Sequence, residues 1–177
     1  MTGKGLVHIY RGEGKGKTTA ALGLALRAAG RGFKVIMVQF MKSSPTGELV
    51  SLQKLENVTV LRGGLPPGFS WQLDDGQKTR MRAEHDRIFK EAVTLCGGDG
   101  ERMLLVLDEL LGAWEGGFID RKTVLSFLEN KPQGLEVVLT GRHADERLCA
   151  LADYISEVRK IKHPYDRGVP AREGVEK

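Results

Sequence analysis

The sequence predicts an α/β fold of three layers, a central, mainly parallel sheet with helices on both faces. Three observations carry this expectation. Short apolar runs alternate with helix-forming stretches along the chain, the pattern that yields parallel strands joined by right-handed crossovers. Two of these runs, Phe33–Phe40 and Met103–Leu107, are apolar through their middle, as strands covered on both faces are. A glycine- and lysine-rich loop lies between the first strand and the first helix, where open sheets of this kind gather phosphate.

The elements follow in order. Leu6–Tyr10 is a short apolar run with β-branched residues that ends in glycines, a first buried strand. Thr18–Ala29 is rich in Ala and Leu and stops at Gly30 and Gly32, so it reads as a helix. Phe33–Phe40 is the second strand, Glu48–Leu55 a short helix and Val58–Leu61 the third strand. Gly63–Gly76 combines glycines, prolines, an aromatic pair and two aspartates, the composition of a structured surface loop that carries function. Lys78–Leu95 forms a long amphipathic helix, and Met103–Leu107 runs straight into Asp108-Glu109. Arg121–Glu129 is helical, Leu135–Leu139 is a strand ending at Thr140-Gly141-Arg142, Ala144–Leu151 is a helix, and Tyr154–Ile161 is a last strand before an irregular tail. No repeat or linker breaks this order, so residues 1–177 are expected to form one domain.

Composition narrows the function classes. Hydrophobic residues make up 41% of the chain and charged residues 28%, the balance of a soluble globular domain. No apolar stretch reaches the length of a membrane span and no secretory signal precedes the first strand, so the expected location is the cytoplasm. A net charge of +4 suits polyanionic ligands such as nucleotides. That charge is spread along the chain with no dense basic run, which argues against a nucleic-acid partner. Cys96 and Cys149 lack metal-ligand spacing and read as reduced thiols.

Residues 12 to 18 read Gly-Glu-Gly-Lys-Gly-Lys-Thr, a phosphate-binding loop one residue shorter than the usual G-x-x-x-x-G-K-[ST]. Gly12, Gly14 and Gly16 let backbone N–H groups turn toward an anion, and Lys15 and Lys17 add point charges. Glu13 lies within the loop, and Thr18 and Thr19 open the helix whose positive end faces the same ligand. Thr18 also offers a hydroxyl to a magnesium or manganese ion. Asp108, at the end of an apolar strand, is the expected metal carboxylate, with Glu109 beside it as a second ligand or a base. Arg142 ends another strand at the same edge of the sheet. Loop, strand-end carboxylates and element order together predict a P-loop NTPase fold of the RecA-like kind. The shortened loop warns against assuming γ-phosphate hydrolysis. Phe69 and Trp71, in the glycine-proline loop, either pin that loop as a small local core or form a flat wall for a large planar ligand. His163 and the tail to Glu176 read either as a solvated terminus or as a further cover of the site.

Gly12–Ala21, Val38–Lys42, Gly68–Trp71, Leu107–Leu110, Leu139–Arg142, Asp153–Glu157 and Lys162-His163 together resemble the P-loop type of ATP:corrinoid adenosyltransferase. The likeness includes the glycine-containing ending from Gly168 to Glu176 and runs in order over nearly the whole chain. The resemblance implies transfer of the 5′-deoxyadenosyl group of ATP to the Co(I) centre of a corrinoid, either cobalamin or cobyrinic acid a,c-diamide. Triphosphate is then the leaving group, in adenosylcobalamin biosynthesis or salvage. Lys17, Phe69, Trp71 and Glu109 become the catalytic candidates. Gly12, Glu13, Gly14, Lys15, Gly16, Lys17, Thr18, Thr19 and Arg142 become the nucleotide-binding ones, and Thr18, Asp108 and Glu109 the ligands of Mg2+ or Mn2+.

The resemblance further implies that Phe69 and Trp71 lie against the lower face of the corrin. There they exclude an axial ligand and make Co(II) easier to reduce. A reduced flavin or flavoprotein would supply the electron, no membrane would be involved, and the chain would be a homodimer. Some relatives cover the corrinoid with an N-terminal extension; few residues precede Leu6 here, so that cover is expected to be absent or replaced. Arg172 stands where many relatives have an uncharged polar residue. Two other readings use the same residues. A small metabolite kinase would take Asp108 for magnesium and Glu109 as base, and would release ADP instead of triphosphate. A RecA-like binding module would need a basic or oligomerising surface, and the sequence offers no basic stripe for it.

Overall fold

The strand β4 (Met103–Asp108) is buried at every residue, and its unbroken apolar run places it inside the sheet. Around it lie β1 (Val7–Arg11), β2 (Lys34–Gln39), β3 (Val58–Arg62), β5 (Leu135–Gly141) and β6 (Tyr154–Glu157). Their order is β3-β2-β4-β5-β1-β6, and every neighbouring pair is parallel. The computed structural model describes residues 4–42, 44–64, 73–97 and 102–176.

Helices cover both faces, which makes the three layers the sequence predicts. On one face α1 (Lys17–Ala29) carries the chain from β1 to β2 across β5 and β4. It buries Ala21, Ala25 and Ala29, small residues four apart that let the helix lie close to the sheet. The short α2 (Gly47–Leu52) adds Leu52 to the same layer. On the other face lie α3 (Asp75–Leu95), α4 (Leu110–Glu115), α5 (Arg121–Glu129) and α6 (Glu146–Leu151). Met81, Ile88 and Phe89 of α3 and Leu110, Leu111 and Trp114 of α4 join one apolar cluster with Ile36, Leu105 and Leu139 of the strands.

Several elements differ from the sequence expectation: α2 ends at Leu52 and not at Leu55, α6 begins at Glu146 and not at Ala144, and three further differences have visible causes. Helix α3 begins three residues earlier than Lys78, because the Asp74 carboxylate accepts from the Gln77 N–H at 2.7 Å while the Gln77 side chain accepts from the Asp74 N–H at 2.9 Å. Helix α4 follows β4 with no loop between them; Glu109, at φ 60° and ψ 21°, makes the whole turn in one residue. Strand β6 ends at Glu157 and not at Ile161. Beyond it the Val158 carbonyl accepts from the Gly14 N–H at 2.7 Å, so the chain leaves the sheet to brace the phosphate loop. Register then lines up the strand ends: Gln39 is opposite Asp108, and Arg11 is opposite Gly141. No helix among the described residues is long and apolar enough to cross a membrane.

Candidate active site

The loop between β1 and α1 is held from behind and open in front. The Gly12 N–H donates to the Arg142 carbonyl at 2.9 Å and the Gly14 N–H to the Val158 carbonyl at 2.7 Å. Gly12 has φ +117°, and a Cβ there would sit 2.5 Å from the Val158 oxygen, so only glycine fits. Gly16, which precedes the helix, has φ +122° with nothing near the position of its missing Cβ. No carbonyl among the described residues accepts from the N–H groups of residues 15–19, which leaves a row of donors at a helix start. Lys17 Nζ folds back to the Gly14 carbonyl at 2.8 Å.

Asp108, at the end of β4, is fully buried. Its Oδ1 accepts from Thr18 Oγ1 and from Thr140 Oγ1, each at 2.8 Å. Its Oδ2 accepts from Lys42 Nζ at 2.6 Å. Thr140 also takes the Glu109 N–H on its hydroxyl oxygen at 2.9 Å, which helps hold the left-handed turn at Glu109. Burial pushes the Glu109 carboxyl above the usual carboxylate range, and the neighbouring Asp108 adds to the effect.

Lys42 reaches Asp108 because β2 ends in a sharp turn. Met41 has φ 57°, an unusual conformation for a residue with an unbranched side chain. Its N–H donates to Nε2 of the buried His85 at 3.3 Å, and Nδ1–H of His85 donates to the Phe118 carbonyl at 3.0 Å. Those two bonds require a neutral ring protonated on Nδ1, and burial lowers the His85 pKa below its ordinary value. Phe40 packs edge-on against the same ring.

Residues 14–19, Met41, Lys42, residues 46–48, Glu109 and parts of residues 163–176 line the wall of one cavity of about 930 Å³. Glu48 lies on this wall. Burial works to raise its carboxyl, but its polar surroundings, with Gln39 Nε2 donating to it at 3.3 Å and Lys42 nearby, outweigh it and hold the pKa down. The C-terminal segment crosses the cavity as a strap: a 3-10 turn at Pro164–Arg167 is followed by residues that reach Glu176. The Glu176 carboxylate accepts from the Arg172 side chain at 2.8 and 3.1 Å and lies 3.7 Å from Lys15 Nζ. His163 lines the cavity, and its Nδ1 accepts from the Tyr165 N–H at 3.2 Å.

Of the residues expected from sequence, the structure brings together Gly14 to Thr19 and Glu109 on that wall, with Asp108 beneath. Gly12, Glu13 and Arg142 lie on the opposite flank of the loop, beside a second cavity of about 610 Å³. There Arg142 and His143 face Glu13 at 3.6 and 3.4 Å. Phe69 and Trp71 fall outside the described residues. Sequence reasoning gave no role to Lys42, Thr140 or His85. Lys42 had a signal, a cation just past an apolar strand; His85, in mid-helix, had none.

The donors at the floor suit a hard divalent cation: a threonine hydroxyl, the Asp108 carboxylate and the neighbouring Glu109 are oxygen ligands of the kind Mg2+ or Mn2+ takes. Among the described residues no group of three His, Cys, Asp or Glu forms a self-contained metal site. A cation here would therefore share its coordination with phosphate oxygens and water, as magnesium does in nucleotide sites.

The family described as ATP:corrinoid adenosyltransferase BtuR/CobO/CobP matches residues 3–176. A corrinoid adenosyltransferase of Sinorhizobium sp is 37% identical over 175 residues, which covers 98% of this chain and 80% of that protein. The corrinoid adenosyltransferase CobA of Salmonella typhimurium is 35% identical over 181 residues, 98% of this chain and 86% of its own. Among solved structures, ATPases 2 and 3 of EssC from Geobacillus thermodenitrificans match with a TM-score of 0.54 at 16% identity. That match covers 96% of this chain and 35% of the other, and it shows a shared fold alone.

Proposed function

The chain belongs to the ATP:corrinoid adenosyltransferase family, and we propose that its main cavity grips ATP by the triphosphate and leaves C5′ of the ribose open to the cobalt of a corrinoid. The enzyme adenosylates corrinoids at the expense of ATP. In this reading the electron pair of Co(I) attacks C5′, the cobalt–carbon bond forms, the C5′–O bond breaks, and its electrons leave on an intact triphosphate. Because cobalt is the nucleophile, the chain needs no Ser, Cys or His in that role. Its task is to orient ATP and to stabilise the negative charge that grows on the departing oxygen.

Lys15 to Thr19 do most of that work: their N–H groups and the Lys15 and Lys17 side chains face the phosphates, while Gly14 braces the loop through Val158. Gly12, Glu13 and Arg142 hold the loop from its other flank. Thr18, Asp108 and Glu109 would hold Mg2+ or Mn2+, which supplies further positive charge to the triphosphate when bound. The family resemblance gives Phe69 and Trp71 the role of keeping an axial ligand from the cobalt. A reduced flavin or flavoprotein provides the electron that makes Co(I), and the protein works in the cytoplasm as a homodimer. These roles and settings follow from the family resemblance and the placement of the loop.

One observation carries the reading: the free donors of residues 15–19 line one large cavity, and Thr18 on that wall donates its hydroxyl to the buried Asp108 directly beneath. The test is an anaerobic mixture of protein, ATP, magnesium and chemically reduced Co(I) corrinoid. The expected result is the absorption spectrum of an alkyl-cobalt corrinoid, dependent on both protein and ATP. ADP or orthophosphate accumulating without that spectrum would favour a kinase or an ATPase.

A further inference from the structure

A buried carboxylate has to be neutralised or fully hydrogen-bonded, and Asp108 meets this with two hydroxyls and one ammonium. The ammonium is the informative partner. Lys42 Nζ lies 2.6 Å from Asp108 Oδ2 and 3.5 Å from Thr18 Oγ1. It therefore stands against the same hydroxyl and carboxylate that a divalent cation would use. A doubly charged ion and an ammonium cannot share those oxygens, because like charges at such a distance repel strongly away from bulk water. The backbone under Lys42 is fixed by the Met41 turn and its bond to His85. The side chain itself is 24% exposed and borders the cavity, and its four-carbon stem is free to swing.

We propose that Lys42 is the resident counter-ion of Asp108 in the nucleotide-free protein, and that metal-bound ATP displaces it onto the triphosphate. Asp108 stays neutralised throughout: it trades the ammonium for the metal, and the ammonium becomes a third lysine on the leaving group beside Lys15 and Lys17. Lys42 is then a triphosphate-binding residue whose position the metal sets. The inference rests on the reading above that Thr18 and Asp108 take a divalent cation together with ATP.

Two binding measurements test it without turnover. The first is Mn2+ bound to the nucleotide-free protein, followed by electron paramagnetic resonance, in the wild type and in Lys42→Met. The second is inorganic triphosphate bound in the presence of magnesium, by calorimetry, in the same two proteins. Removing the competing ammonium should tighten Mn2+ by about tenfold or more, and losing a cation from the leaving-group site should weaken triphosphate by about tenfold, since one hydrogen bond to a charged group is worth that much. Lys42→Gln, which keeps a donor but no charge, should shift both in the same directions and serves if the methionine variant folds poorly. Opposite shifts support the exchange. Unchanged or weaker Mn2+ binding in both variants, or unchanged triphosphate binding, overturns it. If the wild type also shows no protein-bound Mn2+ when ATP is present, the metal reading itself falls.

Discussion

The floor of the cavity, at the carboxyl ends of β2, β4 and β5, and the strap of residues 163–176 that crosses it are both built from charged and polar side chains. They are held in opposite ways. At the floor a fully buried carboxylate takes one bond from each of three neighbours that come from separate elements. In the strap the pairs are local or exposed: Arg172 and Glu176 are four residues apart, and Lys15 meets Glu176 at 3.7 Å with its own side chain half exposed. Exposed pairs of this kind contribute little, whereas a buried charge that loses a partner is costly. The contrast assigns rigidity to the part that must aim the phosphates. On the proposed reading it assigns easier opening to the strap, which ATP would pass.

Substitutions at the two places should differ accordingly. Asp108→Ala strands the Lys42 ammonium and two hydroxyls, and should lower the unfolding free energy by about 3 kcal/mol, the low end for breaking a buried pair; urea denaturation measures it. Lys17→Ala should leave the fold intact but reduce kcat/KM by about a hundredfold, the usual cost of removing one transition-state donor. Thr140→Val keeps the shape but leaves the Glu109 N–H without its acceptor, for about 2 kcal/mol by the same denaturation assay. Glu176→Gln in the strap should leave Tm unchanged and shift KM for ATP by no more than about threefold. A large loss of stability from Glu176→Gln would erase the distinction between the two walls.

The support of the floor also has a pH signature. His85 is buried neutral, with its pKa lowered from 6.5. Above pH 6.5 the folded and unfolded chains both carry it unprotonated, so its effect on stability is full. As the pH falls below that value the unfolded chain takes up the proton first, and stability is lost until the folded ring is protonated as well. The slope from this group is at most about 1.4 kcal/mol per pH unit. His85→Gln, which keeps a donor and an acceptor, should flatten the stability profile below about pH 6.5.

Which parts of this were legible in the sequence follows from how local each signal is. The phosphate loop, Thr18 and Asp108 stand next to apolar strands whose type is unmistakable, and their meeting follows from a parallel sheet that gathers strand ends on one edge. Helix α4 was missed because Glu109 makes a one-residue left-handed turn that nothing in Leu107–Leu111 announces. Strand β6 stops short of Ile161 because Val158 gives its carbonyl to the phosphate loop, and Val158 to Ile161, apolar only at the two ends, hold no turn residue that announces the exit. Lys42 meets Asp108 across 66 residues of chain, through a strand order that puts β2 beside β4 and a Met41 turn stabilised from a helix on the far face. No window of sequence contains those three facts together.

The central claim is that the short loop holds a triphosphate that leaves whole. Phosphorus-31 NMR of a single-turnover reaction, with limiting ATP and excess Co(I) corrinoid, tests it directly. The account predicts one inorganic triphosphate for each cobalt–carbon bond formed, with no ADP. Cobalt alkylation accompanied by ADP, or ATP consumed with no alkylation at all, would contradict it.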